Sequence, residues 1–334
     1  MTVLLADIGG TNLRFWFLKE NELSNPIYYK TSDYTSLLEV LKITVQQNEL
    51  PTKMIFGVAG IIQNGKAKLT NADFEIDEKT IQEHYPNTKI LLVNDFVLQG
   101  LGVLKTNTKE LHPLTEAPKK EEGTKLVLGP GTGLGSCFLT PAGDDYLVLS
   151  SEAGHTTLSP ITLNQQKILA EITKDESPVS FEDILSGSGL LRLYQAILKI
   201  NQQAPDSLWM SETEEMKKSF DITETIEADI FPLRPQEITL LAQRNDEIAL
   251  LTFWYFFEFL GIYTANLSLT LKTTGGAYLV GNLLNQPVIR SLLFTPVGLP
   301  PQRFSRPPHS TALPTILNFF PAVFQPTVLF ADRT

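Results

Sequence analysis

Two stretches of this chain repeat one plan, and that repetition constrains the fold more than any other feature of the sequence. VLLADIGGTNLRFWFL, from Val3, and KLVLGPGTGLGSCFLT, from Lys125, each carry an apolar strand, a glycine-rich turn with a threonine, and a second apolar strand. Apolar runs flanking a short glycine turn read as β-hairpins, with Gly10-Thr11 in the first corresponding to Gly131-Thr132 in the second. The chain has 334 residues, beyond the size at which a single core usually keeps growing. Two lobes on related sheets are therefore expected, each presenting its hairpin turn to a shared cleft.

The intervening segments fill in this plan. IFGVAGIIQNGKAKLT reads as strands, with Asn64-Gly65 where a tight hairpin turn belongs. ILLVNDFVLQGLGVL reads as a strand running into a helix, with Asn94-Asp95 at the strand end. The polar stretch 105–123, with Pro113, Pro118 and the charge run KKEE, is the expected crossing between lobes. From about 164 to 271 the pattern is mostly helical, including the apolar run LLTFWYFFEFLGIYTANLSLTL. That run is long enough to span a bilayer, but Glu258, Gly261, Asn266 and its hydroxyls predict a helix buried in protein. After Gln286 prolines crowd the sequence and Asp332 is the only acidic residue, so little regular structure is expected there. The expected organisation is a small α/β lobe over 1–105, a large α/β lobe over 106–285 and a proline-rich C-terminal segment over 286–334.

Charge and cysteine usage narrow the partners. A formal net charge of -10 leaves no basic field for nucleic acid. The single cysteine, Cys137, excludes an intrachain disulfide or a multi-cysteine zinc site, fits a reducing cytoplasm, and reads as a small core residue. The opening MTVLLADIGG has no basic start and meets Asp7, so neither a signal peptide nor a membrane partner is expected.

Glycine-rich turns let backbone N–H groups approach phosphate oxygens, and a threonine hydroxyl adds a donor. DIGGTN and GPGTGLG both have this chemistry. Each alone reads equally as a plain hairpin turn; together, with Asp7 ahead of the first, they point to nucleotide phosphates, with Asp7 facing Mg2+ directly or through water. GIIQNGKA comes within one residue of a P-loop, but Ala67 stands where the magnesium-binding hydroxyl is needed and a hairpin follows in place of a helix. No G-x-G-x-x-G joins a strand to a helix, which removes support for a dinucleotide fold. Asp95 is either a helix cap or, if it faces the phosphate loops, the carboxylate that accepts a proton from an alcohol during phosphoryl transfer. SSEAGH, with Glu152 and His155, suits hydrogen bonds to vicinal sugar hydroxyls or is a solvated loop, and Glu182 reads by itself as a first-turn helix glutamate.

Taken together these residues resemble the bacterial glucokinases, members of the actin and hexokinase-like ATPase superfamily. The resemblance rests on DIGGTNLR, GVAG with LTN, NDF, GPGTGLG, EAGH, LSGSGLLRLY, and LGIYTANLSL followed by GGAYLVG, in order and at matching spacing from the start to about Gly281. It implies an α/β, two-lobed actin/hexokinase-like (ribonuclease H-like) fold with a cleft between a small and a large lobe. It further implies ATP-dependent conversion of glucose to glucose 6-phosphate with Asp95 as catalytic base. Asn94, Asp95, Glu152, His155 and Glu182 would bind glucose; Asp7, Gly9, Gly10, Thr11, Asn12, Gly131, Thr132, Gly133 and Gly276 would handle ATP, with Mg2+ at Asp7. A kinase for another hexose and a catalytically impaired binding relative are the alternatives. A homodimer is expected from the family alone. Two departures stand out: Ala153 in place of a glycine two residues before His155, and Gly281-Asn282 in place of a glycine pair. The family's closing segment has no counterpart after Gln286, which suggests an altered reading frame or a replaced C-terminus.

Overall fold

The computed structural model describes residues 1–69, 73–106, 111–114, 122–173, 178–203, 216–217, 232, 234–281, 283–287, 289 and 292, and the backbone of 328–331. Most of the KKEE run, Asn71 of LTN, Asn282 and most of the C-terminal segment lie outside the described residues. The chain divides into two compact units, Met1–Gly102 and Val103–Thr334.

The first unit is built on β1 (Thr2–Ile8), β2 (Asn12–Lys19), β3 (Glu22–Leu23), β4 (Ile27–Lys30), β5 (Lys53–Val58) and β9 (Lys89–Asn94). The sheet order is β3-β2-β1-β5-β9, with β4 also pairing β2. β1 is antiparallel to β2 and parallel to β5, which is parallel to β9. The period-two alternation of β1 buries Leu4, Ala6 and Ile8 on one face. Against the sheet core lies the apolar stripe of α1 (Leu37–Gln46), carried by Leu37, Val40, Leu41 and Val45. Ser36 starts that helix by accepting the Glu39 N–H, and the Glu39 carboxylate accepts the Thr35 N–H.

A small second sheet holds β6 (Gly60–Gln63), β7 (Lys66–Leu69) and β8 (Glu75–Asp77), followed by α2 (Glu78–His84). Gln63 pairs with Lys66 across a two-residue turn in which Asn64 and Gly65 have φ of 53° and 74°. Both values are left-handed, the condition that selects Asn-Gly in tight hairpins. GIIQNGKA is thus a hairpin, and no helix follows Lys66 as a P-loop would require. β9 leads directly into α3 (Asp95–Lys105), as ILLVNDFVLQGLGVL predicts.

The second unit repeats the plan. Its sheet holds β10 (Leu111–Pro113), β11 (Lys125–Pro130), β12 (Leu134–Ala142), β13 (Asp145–Ser151), β14 (Ala277–Leu279) and β15 (Val328–Ala331), ordered β10-β15-β14-β11-β12-β13. β11 is antiparallel to β12 and parallel to β14, which is parallel to β15. The run β12-β11-β14-β15 therefore matches β2-β1-β5-β9 strand for strand and sense for sense. The proline-rich segment contributes β15, and that strand fills the position that β9 fills in the first unit. Packing also continues past Gln286, since Ile289 is fully buried in the core of the second unit.

The helices of this unit are α4 (Leu163–Ile172), α5 (Gly187–Gln203), α6 (Pro235–Gln243) and α7 (Glu247–Thr270). α7 packs against α5, α6 and β11, with Phe253, Tyr255, Phe256, Phe259 and Tyr263 wholly enclosed. It is apolar all round because it is buried all round. α7 has the length and hydropathy of a membrane span, yet nearly all of it is enclosed by this unit, as its embedded polar residues predict. Its Glu258 accepts a hydrogen bond from Gln165 Nε2 at 2.8 Å, which satisfies a carboxylate on the central helix. Each fully buried phenylalanine contributes about 1.5–3 kcal/mol, so α7 is a main source of this unit's stability. Cys137 is buried in β12.

Candidate active site

In the first unit the C-terminal ends of β1, β5 and β9 lie level, with Ile8 paired to Val58 and Val58 to Asn94. Everything that leaves this edge leaves from the same end of a parallel sheet, where ligands of open α/β sheets bind. The turn Gly9–Asn12 and the pair Asn94-Asp95 both do so, two strand spacings or roughly 10 Å apart.

The turn is tied down from three directions. Gly9 N–H donates to the Asn12 carbonyl at 3.1 Å, Thr31 N–H to the Thr11 carbonyl at 3.1 Å, and Thr31 Oγ1 to the Gly9 carbonyl at 2.7 Å. These contacts occupy carbonyls of the turn; Thr11 and Asn12 are themselves exposed. Thr31 carries no motif and was not legible in the sequence. Asp7 stands opposite Arg14 in the β1–β2 register and pairs with it at 3.2 Å. Burial pushes the Asp7 carboxyl above its ordinary range, and Arg14 acts in the opposite direction.

Asn94 is fixed at both ends of its amide: Nδ2 donates to the Gly60 carbonyl at 3.3 Å, and Oδ1 accepts the Phe96 N–H at 3.0 Å. Asp95 Oδ1 accepts the same N–H at 2.9 Å. Asn94 thus takes the cap position of α3, and the Asp95 carboxylate stands on the first residue of that helix with one oxygen against the same first-turn N–H.

In the second unit the hairpin turn 131–133 is closed by Gly131 N–H donating to the Gly133 carbonyl at 2.7 Å. The N-terminal end of α5 is joined to it, Gly187 N–H donating to the Gly131 carbonyl at 2.9 Å. Ser136 pairs with Ser151, so β13 ends at the same side of the sheet and delivers Glu152 there. A single 3-10 turn, Ala153–His155, follows. Gly154 is its sterically demanding residue: an added Cβ would stand 2.5 Å from the Leu134 carbonyl oxygen. Ala153 instead packs its methyl against the core, so the departure from glycine there is accommodated.

This turn brings three of the expected sugar ligands together. His155 Nε2 lies 3.9 Å from Glu152 Oε2, and His155 Nδ1 lies 3.9 Å from Glu182 Oε1. Glu182 is not a helix residue; it is held by its N–H donating to the Gly154 carbonyl at 2.9 Å. Behind the cluster, Tyr263 of α7 places its hydroxyl 3.1 Å from Ser136 Oγ and its ring against Phe181. Burial pushes this phenol up to about 12, with the charges of Glu182 and Glu152 adding to the rise and the Ser136 hydrogen bond opposing it.

Because an exposed tyrosine in the unfolded chain ionises near the ordinary value of about 10, Tyr263 favours folding below that pH, and the benefit is lost as pH rises from about 10 to about 12. The loss is about 2–3 kcal/mol across that window. Tyr194 is also raised to about 12 and contributes with the same sign. Urea denaturation of wild type and Tyr263→Phe at pH 8 and pH 11.5 should show the wild-type advantage shrinking at the higher pH. A pH-independent difference would contradict it.

Gly276, expected at the nucleotide, lies away from the turn 131–133. Gly276 precedes β14 at the end where Ala277 pairs with Leu126, and its carbonyl accepts the Leu126 N–H at 3.0 Å. That is the opposite end of the sheet from the turn 131–133, and its φ of 99° marks it as a strand-entry turn glycine. The glycine at the same end as that turn is Gly281, whose added Cβ would stand 2.8 Å from the Pro130 carbonyl oxygen.

Solved structures define the class. The fold matches that of a glucokinase from an Antarctic psychrotroph with a TM-score of 0.72 at 24% identity, over 100% of this chain and 95% of that one. It matches a glucokinase from Balamuthia mandrillaris, solved in complex with glucose, with a TM-score of 0.68 at 20% identity, over 100% of this chain and 90% of that one. The chain therefore has the mixed α/β, two-domain fold of these structures. A glucokinase from Nitrobacter hamburgensis is 30% identical over 291 residues, 85% of this chain and 83% of that protein. The sequence model of the glucokinase family matches residues 4–292, and the chain belongs to that family.

Proposed function

We propose that this chain transfers the γ-phosphoryl group of ATP to the terminal hydroxyl of glucose, forming glucose 6-phosphate and ADP. The observation that carries the reading is the cluster of Glu152, His155 and Glu182 at the same sheet end as the turn 131–133. Spacings of 3.9 Å between imidazole and carboxylates are too long for direct hydrogen bonds and admit hydroxyl groups that bond to both.

In this reading Asp95 orients the sugar hydroxyl and takes its proton as the oxygen attacks phosphorus. Asn94, Glu152, His155 and Glu182 hydrogen-bond the remaining hydroxyls. Backbone N–H groups of Gly9–Asn12 and 131–133 meet phosphate oxygens. Gly281, not Gly276, is the glycine assigned to the nucleotide from the β14 segment.

Among the described residues no three His, Cys, Asp or Glu side chains cluster as a metal cage. Asp7 is a single carboxylate, a donor set that fits magnesium carried on nucleotide phosphates and completed by water. When bound, Mg2+ neutralises charge developing on the transferred group. We place the reaction in the cytoplasm, a reading supported by Cys137 being the sole cysteine.

The substrate assignment is tested by measuring ADP formation with glucose, mannose and N-acetylglucosamine. Glucose should give the highest kcat/KM. Turnover with another hexose and none with glucose would reassign the substrate while leaving the chemistry in place.

A further inference from the structure

We propose that Glu182 is a positioning residue that ties the sugar-binding turn to the phosphate turn, so that sugar on one side sets the geometry of the other. The inference rests on the glucokinase reading and deepens it. Glu182 spends its two carboxylate oxygens in different places. Oε2 accepts the Leu134 N–H at 2.7 Å, and Leu134 is the first residue after the turn 131–133. Oε1 faces His155 Nδ1 at 3.9 Å.

Backbone contacts of the same segment reinforce the link: Glu182 N–H reaches the Gly154 carbonyl and Gly187 N–H reaches the Gly131 carbonyl, each at 2.9 Å. The segment 182–187 therefore touches both turns. The Glu182 side chain is only 26% exposed, so its charge-assisted bond to Leu134 is partly shielded from water and correspondingly strong.

The phosphate turn is shaped to receive this carboxylate. A Cβ at Gly133 would lie 2.6 Å from Glu182 Oε2 and 3.3 Å from its Cδ. Gly133 does not have a left-handed φ, so its backbone tolerates alanine. What must move in Gly133→Ala is the far end of a flexible side chain, which costs folding little and displaces the carboxylate. A substitution in the nucleotide turn therefore acts on the sugar site with no nucleotide present, an effect that a purely phosphate-binding role for this turn does not produce.

The experiment is titration calorimetry of glucose against wild type and Gly133→Ala in nucleotide-free buffer. The dissociation constant should rise by about tenfold or more in the variant, the loss expected for one charge-assisted hydrogen bond. An unchanged constant overturns the proposal. Should the variant fail to fold, hydrogen exchange on the wild type asks the same question: glucose alone should slow exchange of the Leu134 amide by about fivefold or more. Glucose binding without any slowing overturns this proposal alone, whereas no glucose binding by the wild type overturns the kinase reading and the proposal with it.

Discussion

Asp95→Ala is expected to lower kcat by about 10²–10⁴, the range a general base contributes, with the cooperative unfolding transition retained. Both halves of that expectation come from the local structure. Asp95 Oδ1 accepts the Phe96 N–H, but so does Asn94 Oδ1, at 3.0 Å against 2.9 Å. Removing one acceptor leaves the first turn of α3 capped by the other, so the stability cost should stay near the lower end of cap losses, about 0.5–1 kcal/mol. The chemical cost has no such reserve, because no amide can take the proton. Steady-state kinetics with parallel thermal melts separates the two effects. A folded variant with undiminished kcat would remove Asp95 from the mechanism.

Gly129→Ala should produce the second large effect, on stability. An added Cβ would stand 1.9 Å from the Val280 carbonyl oxygen and 2.6 Å from its carbon, where the end of β11 runs beside the chain leaving β14. The opposing atoms are backbone, so no rotamer change relieves the clash and the two strands must part just before the turn 131–133. A loss of about 3 kcal/mol or more is expected, at the top of the range for overpacking. Gly143→Ala is the control: it meets nothing within 4 Å and is disfavoured only by a φ of 64°, which costs about 1 kcal/mol. Urea denaturation of both variants should rank them in that order. Equal midpoints would mean that the β11–β14 approach is not the constraint described here.

The legible parts of this molecule were those with local causes. The glycine turns, the Asn64-Gly65 hairpin and the passage from β9 into α3 each follow from backbone preferences of a few adjacent residues. α7 was readable as a buried helix because its composition is apolar on every face yet broken by Glu258 and Asn266. The remainder depended on contacts distant in sequence. Glu182 reads alone as a helix-start glutamate; its bond to Leu134 spans 48 residues, and nothing in the segment around it announces that partner. Thr31 clamps the Gly9 carbonyl from 22 residues away. Gly276 and Gly281 flank a strand of only three residues, and sequence spacing cannot say which end lies beside the turn 131–133. β15 lies in a segment whose prolines argue against regular structure, and only pairing with β14 and β10 defines it.

The family's own activity supplies the most direct test of the central claim. Purified wild-type chain is incubated with ATP, Mg2+ and glucose, and the sugar product is identified by mass spectrometry and by its oxidation with glucose 6-phosphate dehydrogenase. The account predicts glucose 6-phosphate in equal amount to the ADP formed. A folded protein that binds glucose and yields no phosphorylated sugar would contradict it.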